Sequence, residues 1–276
     1  MATIESRAQA IYKRRPVRIL FLEAHDDRVR DAIEIIKKRK IAEPVLLHGN
    51  DVSKKLDDAK QMLQNGEADA VITGATHSTA DTLRLAFNFV RKGVVRVSGA
   101  FIMISPGGKK MLFADCAAQP EPTPEQLAET ALLTVETYKI LIGDDPKVAL
   151  LSYSTRSSGR GFSPMKIAEA LKIIKKKSPK LKIEGEVQVD AALDMKVAKI
   201  KLSNPLIANI FIFPCLDSGN IGYKLVEYLG GWQAVGPVIQ GLSKQVNDLS
   251  RGCKTDDIVK LAAVTAIQVN EQRKCR

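Results

Sequence analysis

The segment Gln240–Asp257 (QGLSKQVNDLSRGCKTDD) packs serine, arginine, cysteine, two glycines and several carboxylates into one turn-rich stretch. It follows a strand-like run, Gly236–Ile239, and precedes a helical run, Ile258–Val269. A polar segment at a strand-to-helix junction is where α/β proteins place chemistry. Arg251 offers a planar fork of donors suited to a phosphate or carboxylate. Ser250 and the amides around Gly252 can donate to an oxyanion, and Asp257 stands where a helix begins. The same residues also fit an ordinary turn with an aspartate near a helix N-terminus, and this stretch alone does not choose between the two.

Three further segments pass from strand to helix with polar residues between. In Thr73–Arg84 (TGATHSTADTLR) small hydroxyl residues open a helix, so Ser78, Thr79 and the local amides outline an anion site that Arg84 can reach. A capped helix with a surface arginine explains that stretch equally simply. Ser152–Gly161 (SYSTRSSGRG) is a better phosphate cradle, through Ser154, Thr155, Ser157, Ser158 and Gly159, although a plain solvent loop also fits. It is not a Walker A loop, because no Lys-Ser/Thr follows the glycines. Nor is it GxGxxG, because Pro164 takes the place of the last glycine. In Pro214–Gly222 (PCLDSGNIG), Asp217 or Ser218 suits a helix cap and Asn220 can bond a substrate group. His25, His48 and His77 have no second ligand at i+3 or i+4, so no metal is expected. A Ser-His-Asp triad is available only by assembling distant residues; His77 beside Ser78 selects no partner.

The elements that position these segments alternate. Strands are expected at Val17–Leu22, Pro44–Leu47 and Ala70–Thr73, with helices at Asp26–Lys38, Lys55–Leu63 and Thr79–Val90 between and after them. That β-α order implies a parallel sheet. Strand-like runs follow at Val94–Ile104, Met111–Phe113, Lys147–Ser152, Glu186–Val189 and Ile207–Phe213. Thr123 reads as the N-cap of a helix with Pro124 first, running to Leu141. Further helices are expected up to Lys177 and over Ile221–Leu229. With 276 residues, 45% of them hydrophobic, the chain can bury one large or two medium cores. Cys116, Cys215, Cys253 and Cys275 form no CxxC pair and read as reduced thiols of a cytoplasmic protein. No signal peptide or membrane span is evident. The net charge of +11 suggests a polyanionic partner. However, its lysines gather where helices end, and aromatics are only 5% of the chain, so a nucleic-acid partner is not expected.

Taken together, GATHSTADTLR, LFADCAAQPEPTPEQLAE, VALLSYSTRSSGRG, EGEVQVDAAL, FIFPCLDSGNIGYK and GPVIQGLSKQVNDLSRGCKTDDIV resemble, in order and wording, the phosphate acetyltransferase (phosphotransacetylase) family. The resemblance runs from about Ala68 to Val269. It implies two α/β domains with mainly parallel sheets, of the isocitrate/isopropylmalate dehydrogenase type, with the active site in the cleft between them. The expected division is 1–100 plus 251–276 against 101–250. The implied assembly is a homodimer, and the implied reaction is reversible acetyl transfer between coenzyme A and inorganic phosphate. Coenzyme A is then a substrate, and no cofactor is expected. The family's arginine of DTLR falls on Arg84, its Ser-Arg pair on Ser250 and Arg251, its carboxylate on Asp257, and its non-covalent cysteine on Cys253. The expected catalytic set is Asp257, Ser250 and Arg251. Arg84, Ser78, Thr79, the Ser154–Gly159 loop and Asn220 are expected to bind substrate. Two departures stand out: LEAHDDRV replaces a PEGED-like run, and the chain passes directly from Asp51–Glu67 to Ala68, without the insertion associated with coenzyme A binding. These leave open a propionyl or butyryl preference, or a catalytically degenerate acyl-coenzyme A/phosphate-binding domain.

Overall fold

Short apolar runs flanked by polar turns become strands, and the amphipathic stretches between them cover those strands. The computed structural model describes residues 3–49 and 51–274, so Cys275 lies outside the described residues. The chain divides into two compact units, Met1–Val94 with Val235–Arg276, and Val95–Ala234; the sequence placed the seams at 100 and 250.

The first unit contains α1 (Ile4–Arg14), β1 (Arg18–Phe21), α2 (Asp27–Lys38), β2 (Glu43–Leu46), α3 (Val52–Asn65), β3 (Ala70–Thr73) and α4 (Thr79–Ala86), which runs into a 3-10 turn at Phe87–Phe89. In the second unit lie β4 (Ser98–Ile104), β5 (Lys110–Ala114), α5 (Pro124–Leu141), β6 (Lys147–Leu151), α6 (Phe162–Lys177), β7 (Lys182–Val187), α7 (Val189–Leu193), α8 (Met195–Lys201), β8 (Ile210–Ile212) and α9 (Leu216–Tyr228). The chain leaves it along β9 (Gln233–Gln240) and ends in β10 (Gln245–Asp248) and α10 (Thr255–Lys274).

In the first unit the four-stranded sheet has the order β10-β3-β1-β2. All three pairings are parallel, with Ile19 opposite both Pro44 and Ala70, and Asp248 opposite Thr73. Ile19, Leu20, Val71 and Ile72 are buried. On α2, Val29, Ala32, Ile33 and Ile36 form the buried stripe, the i, i+3, i+4, i+7 spacing of an amphipathic helix. Helix α10 buries Ile258, Val259 and every residue from Leu261 to Val269, and packs on α1 and α2. The order matters for function. The chain goes from β1 outward to β2, then returns to place β3 on the other side of β1. The carboxyl ends of β1 and β3 therefore flank a topological switch point, where open α/β sheets bind ligands.

In the second unit the six-stranded sheet has the order β7-β6-β8-β5-β4-β9. β4 and β5 are antiparallel, while β5–β8, β8–β6 and β6–β7 are parallel. Helix α5 begins with the expected cap. The Thr123 side chain accepts from the Gln126 amide, and the Gln126 side chain accepts in return from the Thr123 amide.

Several elements differ from the sequence reading. Helix α1, capped by Thr3, was not anticipated; its charged residues hide the weak stripe that buries Ala8. The strand expected from Glu186 instead ends at Val187, and Val189 starts a helix. Helix α9 starts at Leu216, so Asp217 and Ser218 lie inside its first turn rather than capping it, and the Ser218 hydroxyl donates to the Cys215 carbonyl. Most informative is β10, read as loop because Gln245, Asn247 and Asp248 are polar. All its residues are buried. The Asn247 side chain donates to Thr265 Oγ1 and Gln268 Oε1 at 2.9 Å and accepts from the Ile239 amide. Asp248 accepts from the Thr79 and Thr82 hydroxyls, each at 2.8 Å. Buried polar groups with partners are compatible with a strand that no apolar pattern announces.

Burial raises the Asp248 carboxyl from 3.8 to about 6, against the opposing pull of its threonine donors. The folded protein therefore holds this proton more tightly than the unfolded chain. The associated stability is full below pH 3.8 and is lost as the pH rises through about 6. Denaturant titrations at pH 4 and pH 7 should show Asp248→Asn losing less stability over that interval than the wild type, by about 2–3 kcal/mol. Parallel pH profiles for the two proteins would contradict this assignment.

Candidate active site

Three loops leave the carboxyl edge of the first sheet from adjacent strands: Leu22–Asp26 after β1, Gly74–Ser78 after β3 and Leu249–Lys254 after β10. Glu23, 1% exposed, stands two residues past the end of β1 and aims its carboxylate into the β3 loop. Oε1 accepts from the Thr76 amide at 2.6 Å, the His77 amide at 2.7 Å and the Thr76 hydroxyl at 3.0 Å. Oε2 accepts from the Ala75 amide at 3.0 Å. The nest of donors that the sequence offered to a ligand anion is thus filled by an internal one. Gly74 permits this fold of the loop. Its φ is +107°, and a Cβ there would collide with Asp248 Oδ1 and the Leu249 backbone. The His77 ring is buried, shares a 3.0 Å hydrogen bond with the Thr73 hydroxyl through Nδ1, and lies 3.6 Å from Glu23. It is a packed loop residue and makes no pair with Ser78.

Arg28, in the first turn of α2, ties the same three loops. Nε and Nη2 grip Asp26 at 3.0 and 2.8 Å, and Nη2 also donates to the Ala75 carbonyl at 3.0 Å. Nη1 donates to the carbonyls of Arg251 at 2.7 Å and Cys253 at 3.0 Å. The bond to Asp26 holds the guanidinium above its ordinary range and draws the Asp26 carboxyl down. Sequence reasoning missed Glu23 and Arg28. The available signal was a carboxylate two residues past a buried strand, followed by Asp-x-Arg at a helix start.

The expected catalytic residues share the β10–α10 segment. Ser250 is half-buried, and its Oγ accepts from the Gly252 amide at 3.4 Å. Arg251 is exposed, and its guanidinium has no hydrogen bond or ion pair among the described residues. Asp257, at the third position of α10, accepts from the Lys254 amide at 2.9 Å, so it closes the helix N-terminus. The Cys253 thiol is buried beneath the segment and raised to about 11, chiefly by burial against the opposing pull of Arg28. At neutral pH roughly one such thiol in ten thousand is ionised.

The expected substrate-binding residues fall in both units. On α4, Ser78 caps the helix through Asp81, Thr79 bonds Asp248, and Arg84 pairs with Asp81 at 3.0 Å while remaining 70% exposed. In the second unit the Ser152–Gly161 loop joins β6 to α6. There too a carboxylate takes the donors: Glu186 accepts from Ser154 Oγ at 2.5 Å and from the Ser157 amide at 2.8 Å. Ser154 Oγ also accepts from the Gly159 amide. The Thr155 amide donates to Ser158 Oγ, and the Thr155 hydroxyl bonds Gln188. Asn220 donates to the Cys116 carbonyl at 3.3 Å. Among the described residues no His/Cys/Asp/Glu group of three or more is placed to hold a metal ion.

Glu23→Gln tests the internal plug. The amide would set a donor against one of the loop N–H groups and remove the charge that the others solvate. It should lower stability by about 2–4 kcal/mol, read as a reduced urea midpoint at unchanged slope. A midpoint equal to wild type would show that the loop holds its form without the carboxylate.

The sequence pattern of the family described as Phosphate acetyl/butaryl transferase matches residues 50–266. The chain is similar to the phosphate acetyltransferase of Nitratidesulfovibrio vulgaris, with 48% identity over 217 residues, 77% of this chain and 30% of that protein. It is similar to the Bacillus subtilis phosphate acetyltransferase, with 45% identity over 212 residues, 75% of this chain and 65% of that protein. The matched chain therefore spans less than two thirds of the length of these curated relatives. A crystal structure of a phosphotransacetylase from Streptococcus pyogenes aligns with a TM-score of 0.87 and 35% identity, covering 97% of this chain and 98% of that one. The six sequence stretches, the mixed α/β architecture with mainly parallel sheets and these relatives agree: the chain belongs to the phosphate acetyl/butaryl transferase family.

Proposed function

We propose that the protein transfers an acetyl group reversibly between coenzyme A and inorganic phosphate. One structural observation carries this reading beyond family membership. Arg251 presents a guanidinium, unpaired among the described residues, from a loop whose backbone is clamped from behind by Arg28. A fixed, solvent-facing fork of donors is suited to a phosphoryl dianion. Arg84 lies in the last turn of α4, the helix that follows the β3 loop, and its bond to Asp81 is an exposed pair that a phosphate can displace at little cost.

In the direction of acetyl-coenzyme A formation, Asp257 accepts the thiol proton of coenzyme A. The thiolate attacks the acyl carbon of acetyl phosphate. Ser250 and the amides near Gly252 stabilise the oxyanion. The carbon–oxygen bond to phosphate then breaks, and phosphate departs against Arg251 and Arg84. A covalent route through Cys253 is opposed by burial of its thiol and by its raised pKa. The remaining polar loop residues, Ser78, Thr79, Ser154, Thr155, Ser157, Ser158, Gly159 and Asn220, are proposed to shape substrate contacts mainly by holding their loops. No cofactor is required by this scheme, and we place it in the cytoplasm. Among the described residues no helix is long and apolar enough to cross a membrane. Helix α3 follows β2 and leads to β3 with only Val52–Asn65 between turns, so a propionyl or butyryl preference is the second reading.

We also propose a homodimer. On α9, Ile221, Leu225, Tyr228 and the following Leu229 are 57, 52, 76 and 82% exposed. Their spacing puts them on one helical stripe, the self-complementary kind of surface that a two-fold interface buries.

Two measurements follow. Free-thiol release from acetyl-, propionyl- and butyryl-coenzyme A with phosphate should give turnover, greatest with the acetyl ester. Arg251→Ala should lower kcat/KM by about 10²–10³, while Cys253→Ala stays at the wild-type rate. Tight acyl-coenzyme A binding without turnover would replace the enzyme by a binding domain, and an inactive Cys253→Ala would revive the covalent route. In sedimentation velocity, Ile221→Glu with Leu225→Glu should convert a dimer to monomer; an unchanged dimer would move the interface elsewhere.

A further inference from the structure

Arg84 and Arg251 stand on different elements, one on α4 and the other on the loop that follows β10. We propose that the buried Asp248 is a positioning residue that sets the spacing of these two guanidinium groups for phosphate. This assignment takes the role of the arginines from the acyl-transfer reading and adds what fixes them relative to each other.

Asp248 is the last residue of β10 and only 1% exposed, so it is closed to substrate. Its two oxygens divide between two hydroxyls of one helix. Oδ1 accepts from Thr82 and Oδ2 from Thr79, each at 2.8 Å. Among the described residues these are the hydrogen bonds that join α4 to β10. Thr79 and Thr82 are three apart and therefore share one face of the helix. Arg84, two residues past Thr82, comes out on the other side, where its side chain is 70% exposed. Its ion pair with Asp81 is internal to α4 and gives the helix no fix on the rest of the unit.

The same residue is anchored on the sheet. Asp248 is in register with Thr73 on β3, and the next amide, that of Leu249, donates to the Thr73 carbonyl at 2.7 Å. Gly74 leaves room for the carboxylate, because a Cβ there would overlap Oδ1. Ser250 and Arg251 follow directly, with the Arg251 carbonyl held by Arg28 at 2.7 Å. The path from one arginine to the other thus runs through a short length of backbone and one carboxylate. Packing alone does not call for a charge here. Burial opposes the ionised form and raises its pKa to about 6, and burying a charge costs far more than burying an apolar side chain. What an apolar group lacks is direction. Two oriented bonds to hydroxyls three residues apart fix the helix both along its axis and about it.

The test is steady-state thiol release from acetyl-coenzyme A with phosphate varied, beside calorimetric titration with phosphate alone, on the full chain at neutral pH. Asp248→Ala should raise KM and Kd for phosphate by about 10–100-fold. Asp248→Asn should stay within about threefold of wild type, because the amide still accepts from one threonine hydroxyl and donates to the other. Thr82→Val removes one of the two bonds at a side chain that is 0% exposed. It should raise both constants by about three- to tenfold. In an Arg84→Ala background, Asp248→Ala should add less than about threefold, since the group it positions is gone. A purely structural role would lower the folded fraction and kcat and leave KM and Kd unmoved. If Asp248→Ala fails to fold, Thr82→Val and Asp248→Asn carry the comparison. These shifts in Kd in a protein without turnover would remove the acyl-transfer reading and still support the positioning role. The proposal is overturned if Asp248→Ala or Thr82→Val binds phosphate as wild type does, or if Asp248→Asn loses as much as Asp248→Ala. It is equally overturned if the loss is undiminished in Arg84→Ala, or if the wild type binds no phosphate.

Discussion

A single buried carboxylate organises the carboxyl edge of the first unit's sheet. Glu23 carries a negative charge to a position where water is excluded, and this is tolerable only because the β3 loop supplies three amides and a hydroxyl. The converse also holds. Successive amides pointing inward would be costly without an acceptor, so carboxylate and loop specify each other's geometry. Arg28 extends the constraint to the β10 loop by binding the carbonyls of Arg251 and Cys253. Backbone order then reaches the Arg251 side chain from inside the protein, leaving its guanidinium available to a substrate. The second unit repeats the device, with Glu186 seated in the donors of the Ser154–Gly159 loop.

This arrangement explains why glycine- and hydroxyl-rich turns are ambiguous as anion sites. The residue types that cradle a phosphate are the ones that cradle an internal carboxylate, and the partner, 52 to 54 residues away in the case of Glu23, leaves no trace in local spacing. Helices and strands driven by apolar periodicity were legible: β3 and α5 fall where the pattern puts them, and Thr123 caps α5 as its sequence indicates. Strand β10 was not legible, because Asn247 and Asp248 are buried through side-chain partners on α4 and α10 rather than through hydrophobicity. The candidate residues Ser250, Arg251 and Asp257 could be picked out from one segment. Their support, Glu23 and Arg28, lay in LEAHDDRV, one of the two places where the wording departs from the family resemblance.

The positive balance of the chain also has a structural address. Lys37 and Lys38 close α2, and Lys175, Lys176 and Lys177 close α6. There they meet the negative ends of the helix dipoles. Part of the +11 charge is thus local helix chemistry rather than a partner surface. The cations with a different setting are Lys55, buried, and Arg251, exposed, each without a counterion among the described residues. Electrostatic interest concentrates at these two positions of the carboxyl edge, which is also where strand order predicts ligand binding.

The dependence of this edge on Glu23 can be read most directly by native-state hydrogen exchange of the Ala75, Thr76 and His77 amides. None of the three belongs to a helix or strand, so their protection reports the carboxylate bonds alone. All three should exchange slowly and together, through an opening close in free energy to global unfolding. Fast, independent exchange of these amides in an otherwise protected sheet would contradict it.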